Sequence, residues 1–72
     1  MGPFTLRRRN LADGRIDLQR LPSGGLQMLW FRDGDPGAYG LPIPVRFAGR
    51  DMTDDVIDGI LDAGAERVAD RR

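Results

Sequence analysis

The sequence predicts an α+β domain: a four-stranded antiparallel β-meander in spatial order 1-2-3-4, with one C-terminal α-helix packed on one face. Three observations carry this expectation. Two Asp-Gly dipeptides (13–14 and 33–34) and the run Pro22-Ser23-Gly24-Gly25 divide the first two-thirds into short segments rich in Leu, Ile, Val and aromatic residues, the punctuation of a meander. Asp51-Met52-Thr53-Asp54-Asp55 is a helix start, a capping hydroxyl or carboxylate followed by acids in the first turn. Beyond it Val56, Ile57, Ile60, Leu61 and Val68 recur at helical spacing, with Ala65 between them. With 72 residues and no Cys, the expectation is a single ββββα domain over residues 1–72. That is near the size at which one core only just offsets chain entropy.

Strands are expected at about 4–11, 15–21, 26–32 and 41–47. In the first hairpin, a three-residue loop Ala12-Asp13-Gly14 with Gly14 left-handed pairs Asn10 with Ile16 and Arg8 with Leu18. That register gathers Phe4, Leu6, Ile16 and Leu18 on one face, whereas a two-residue Asp13-Gly14 turn splits them. Carried through the next turn, Leu21 pairs with Leu26, Leu18 with Leu29 and Ile16 with Phe31, so Leu29 and Phe31 are expected inside. Met28, Trp30 and Arg32 then point outward. In the fourth strand Leu41, Ile43, Val45 and Phe47 alternate inward, and Pro42 and Pro44 remove amide donors from one side, marking a protected free edge. Gly59 and Gly64 each weaken the helix by about 1 kcal/mol relative to Ala, so the helix depends on the sheet beneath it.

Charge is balanced overall and uneven along the chain. All eleven cations are Arg and ten of the eleven anions are Asp. Residues 1–20 carry a net +3, residues 21–50 a net +1 and residues 51–72 a net −4, which predicts a dipolar molecule. Zero net charge argues against a protein that works by neutralising many phosphates.

Two constellations stand out. Arg7, Arg9, Met28, Trp30, Arg32 and Arg46 are expected together on the open sheet face, where an aromatic among arginines suits base stacking or an acidic protein. On the helix, Asp54, Asp58, Asp62, Glu66 and Asp70 recur every four residues and suit a basic partner or mimicry of a phosphate backbone. Each has a plain structural alternative. The arginines could be the solvated side of a strand, with Arg9 facing Asp17. Early acids and the late Arg67, Arg71 and Arg72 both favour the helix macrodipole.

Catalytic chemistry is poorly supplied: one Ser (Ser23), two Thr, one Tyr and no His, Cys or Lys. The loop Asp33-Gly34-Asp35-Pro36-Gly37-Ala38-Tyr39-Gly40 lacks the ligand spacing of a calcium loop, since Pro44 stands where the closing Glu belongs. It is therefore a connection between strands. No catalytic residues, metal or cofactor are expected. The longest run of large apolar residues, Met28-Leu29-Trp30-Phe31, is far short of the roughly 20 needed to span a bilayer. No signal peptide or myristoylation pattern is read at Met1-Gly2-Pro3-Phe4-Thr5-Leu6, and a cytoplasmic location without membrane attachment is expected.

The function these features favour is non-enzymatic: a small protein that binds a macromolecular protein partner stoichiometrically, in the manner of a phage or mobile-element inhibitor of a host nucleic-acid machine. The alternatives are single-stranded nucleic-acid binding by the Trp30 and arginine face, and a homodimer closed through that face.

Overall fold

The computed structural model describes residues 2–71; Arg72, one of the late helix arginines, lies outside them. The elements run β1 (Phe4–Leu11), β2 (Gly14–Arg20), β3 (Leu26–Arg32), β4 (Ala38–Leu41), a 3-10 turn (Val45–Phe47) and α1 (Asp54–Asp70). The four strands form one antiparallel sheet in order β1-β2-β3-β4, as expected, and α1 covers one face.

Both hairpin registers differ from the expected ones by one residue. The first closes through a two-residue turn, Ala12-Asp13, so that Leu11 pairs with Gly14, Arg9 with Ile16 and Arg7 with Leu18. In the second, Leu21 N–H donates to the Gly25 carbonyl (2.8 Å) and Gly24 N–H to the Leu21 carbonyl (2.9 Å). This three-residue loop, Pro22-Ser23-Gly24, holds Gly24 at φ 94°. The left-handed glycine expected in the first hairpin thus sits in the second.

Because side chains alternate along a strand, a one-residue slip exchanges the faces. Ile16 pairs with Trp30 and Leu18 with Met28, and these four are buried under the helix together. Trp30 is 5% exposed. The expected placement of Leu29 and Phe31 in the core is therefore wrong: both lie half-buried on the opposite face. A bulge between Thr5 and Arg7 absorbs one extra residue, Leu6, and brings it back against the core. Phe4, also expected inside, remains 67% exposed.

The expected fourth strand at 41–47 is also corrected. β4 ends at Leu41 because Pro42 and Pro44 cannot donate to a ladder. The chain then turns, with Phe47 N–H on the Pro44 carbonyl and Ala48 N–H on the Val45 carbonyl, both 3.0 Å. In a 3-10 turn, residues three apart share a side. Phe47 therefore packs on the core while Val45, expected inside, is 88% exposed.

The helix matches its expectation closely. Thr53 caps it, its Oγ1 accepting from Val56 N–H at 3.3 Å, and Val56, Ile57, Ile60, Leu61 and Val68 are all buried. Its two glycines are contact points. A Cβ on Gly64 would lie 2.7 Å from Met28 Sδ, and one on Gly59 would lie 3.0 Å from the Phe47 ring. The propensity lost at these positions lets the helix lie close to the sheet.

Gly14 is a second kind of close approach, since a Cβ there would meet the Phe31 carbonyl oxygen at 2.0 Å. That obstacle is backbone and cannot rotate away. Gly14→Ala is therefore expected to destabilise the fold by on the order of 2 kcal/mol, read as a lower urea midpoint, with unaltered stability contradicting this register.

Candidate functional site

The two charged constellations meet each other. Arg7 and Arg9 lie on the helix-facing side at the β1 edge. Arg7 Nη2 donates to Asp54 Oδ1 at 2.6 Å and Nη1 to Asp58 Oδ1 at 2.7 Å. Arg9 Nη1 donates to Asp62 Oδ1, and its Nη2 lies 3.9 Å from Asp58. Residues two apart on a strand are separated by about 6.6 Å, and residues four apart on a helix by about 6 Å, so the arginines and aspartates match in step. The hydrogen bond to Asp54 first, and then that to Asp58, pushes the Arg7 pKa up.

Arg7, Arg9, Met28 and Trp30 thus share a face, as expected, but it is the covered face and not the open one. Trp30 packs under the helix and against Tyr39, with ring centroids 5.4 Å apart. Arg32 ends β3, exposed. Arg46 is not on the sheet at all: it sits in the 3-10 turn with its guanidinium 4.6 Å from the Phe47 ring centroid. On the helix, Asp54, Asp58 and Asp62 face β1. Glu66 and Asp70 line a separate shallow cleft with Arg46 and Arg67, because each four-residue step rotates about 40° around the axis.

On the uncovered face Asp17 pairs with Arg8, and not with Arg9 as in the expected solvated strand. Arg8 donates to Asp17 from Nε (2.8 Å) and Nη2 (3.3 Å), and this bonding pushes the Arg8 pKa up. Asp17 is 2% exposed although it belongs to the open side of the sheet. Arg15 Nε approaches it at 3.7 Å, and the same guanidinium lies 4.2 Å from the Phe31 ring centroid. Gln27 donates to Gln19 at 2.6 Å. Beside this polar ladder Leu29 pairs with Gly40 and Phe31 with Ala38, so two apolar side chains stand next to positions with almost no side chain of their own. The Ile16-Asp17-Leu18 alternation places Asp17 on this side, but its burial depends on Arg8 and Arg15, which reach it across the sheet and along the strand. Among the described residues, no group of three or more potential ligands is placed to hold a metal ion, and no helix is long and apolar enough to cross a membrane.

Asp58 lies against both Arg7 and Arg9, so Asp58→Ala is expected to lower stability by about 0.5–1 kcal/mol at low ionic strength. The difference should shrink in about 1 M salt. Urea denaturation at two salt concentrations checks both parts; an effect independent of salt would assign Asp58 another role.

Tyr39 donates to Asp35 Oδ2 at 2.8 Å, and this hydrogen bond raises the phenol pKa above its ordinary value. A raised folded-state pKa contributes stability that is fully present below the unfolded pKa and lost as pH climbs through the folded one. As the one tyrosine of the chain, Tyr39 should titrate above about 10 in tyrosinate absorbance, and Asp35→Asn should bring it down.

Compared with protein-family models, curated proteins and solved structures, the chain matches none of them.

Proposed function

We propose that this is a non-enzymatic binding protein that engages a protein partner, one to one, through the uncovered sheet face. The observation that carries the proposal is the pairing of Leu29 with Gly40 and Phe31 with Ala38, flanked by the guanidinium groups of Arg8 and Arg15. Phe and Arg are favoured at protein interfaces, and anchors of this kind bind best on a rigid platform. Here the platform is stiffened by the Arg8–Asp17 and Gln19–Gln27 bonds. A partner with an apolar knob to fill the Ala38 and Gly40 side, and acidic groups for the arginine rim, complements it. Inhibition of a host nucleic-acid machine by a phage or mobile-element protein is one stoichiometric role such a face serves.

Single-stranded nucleic acid is a weaker occupant. Trp30, the aromatic such binding needs for stacking, is packed beneath the helix and Tyr39, and Arg7 and Arg9, the cations it needs for phosphate, hold carboxylates.

A photo-crosslinking amino acid at position 29 or 31, expressed in the native host, tests the proposal. The expected product is one heterologous protein adduct that survives nuclease and is lost when the crosslinker is moved to Glu66. An adduct destroyed by nuclease would support the nucleic-acid alternative, and one of twice the chain mass would support the homodimer.

A further inference from the structure

Remote from the proposed interface, a cleft of about 390 Å³ opens between the loop joining β2 to β3 and the segment from Ile43 to Met52. Its size falls in the range of roughly 300–1,000 Å³ of small-molecule sites. Leu26, Ile43, Phe47 and Met52 supply an apolar wall, and Arg20 and Arg50 supply all of its charge. No carboxylate lines it. This is unusual within a chain that has as many anions as cations, and in which Arg7, Arg8, Arg9 and Arg15 each approach an aspartate. Arg20 gives one N–H to the Gly24 carbonyl at 3.0 Å. Neither Arg20 nor Arg50 forms an ion pair among the described residues.

The composition selects the ligand. Two cations beside an aliphatic and aromatic wall complement a molecule with an anionic head and an apolar body. An extended peptide is disfavoured, because β4 has ended at Leu41 and Pro42 and Pro44 carry no N–H with which to extend a ladder. Val45, projecting into solvent beside the cleft, adds apolar surface at its mouth.

We propose that this cleft binds a small aliphatic carboxylate of the medium-chain fatty-acid type. Its chain lies on Leu26, Ile43, Phe47 and Met52, and its carboxylate is met by the guanidinium groups of Arg20 and Arg50. The site is independent of the sheet face assigned to a protein partner, and either can fail without the other.

Titration of the isotope-labelled protein with octanoate, decanoate and uncharged decanol, followed by amide and methyl NMR, tests the site. Saturable shifts are expected at Gly24, Gly25, Gly49, Arg50 and the Met52 methyl. Each added methylene should tighten binding about fourfold, so decanoate should exceed octanoate by about 15-fold. Arg50→Gln, at an exposed position, should weaken decanoate about tenfold and leave decanol unchanged. Unaltered shifts of Ile16 and Leu18 in that variant establish that it is folded. Decanoate that does not saturate below millimolar concentration, decanol that binds wild type as tightly as decanoate, or shifts confined to Leu29 and Phe31 would each overturn the proposal.

Discussion

The loop Pro22-Ser23-Gly24 decides which face of β3 meets the helix, and most of the remaining structure depends on that choice. With Gly24 left-handed the loop takes three residues, and Arg20 falls opposite Leu26. Trp30 and Met28 then point at α1. Met28 fits there because Gly64 has no side chain to oppose its thioether. The pairing continues into β4, where Leu41 enters the core beside Met28 and Tyr39 covers Trp30. One more residue in that loop would reverse all of these placements.

The register of the first hairpin, closed through Ala12-Asp13, explains where the charge goes. Once Ile16 and Leu18 lie under the helix, their β1 partners Arg9 and Arg7 are carried to its flank, where the aspartate spacing of α1 matches the strand repeat. A run of like charges that weakens an isolated helix becomes a counterpart to the strand. β1 is also an edge strand, and an edge bearing three arginines and a bulge resists pairing with another chain. The basic first segment and the acidic last one therefore largely satisfy each other, and the binding capacity left over lies elsewhere.

The two proposed binding surfaces differ in character. The outer sheet face is broad, semi-rigid and amphipathic, with Leu29 and Phe31 beside side-chain-poor β4 and a carboxylate locked beneath Arg8 and Arg15. The cleft at the far end is small and apolar, with two arginines free of carboxylates among the described residues. Broad and semi-rigid suits a protein surface; narrow and apolar suits a small amphiphile.

Local chemistry in the sequence determined the first three strands, the meander order and the helix, but not β4, which forms at Ala38–Leu41 where a connection was expected, while 45–47 is a 3-10 turn. Turn residues mark the strand ends, Thr53 has a cap's hydroxyl, and the 3.6-residue spacing of Val56, Ile57, Ile60, Leu61 and Val68 selects the buried face whatever lies against it. Strand faces were legible only where period and environment agreed, as at Ile16 and Leu18. For β3 the segment Leu26–Arg32 is apolar on both sides, Met28 and Trp30 on one and Leu29 and Phe31 on the other, so alternation alone is indifferent between them. That choice was made by the length of a loop and by the room at Gly64, both settled only when helix and sheet pack together. The candidate sites follow the same division: the sequence displayed the arginines and aspartates, but their cancellation, the burial of Asp17 and the sharing of one cleft by Arg20 and Arg50 depend on register and packing and exist only in the folded molecule.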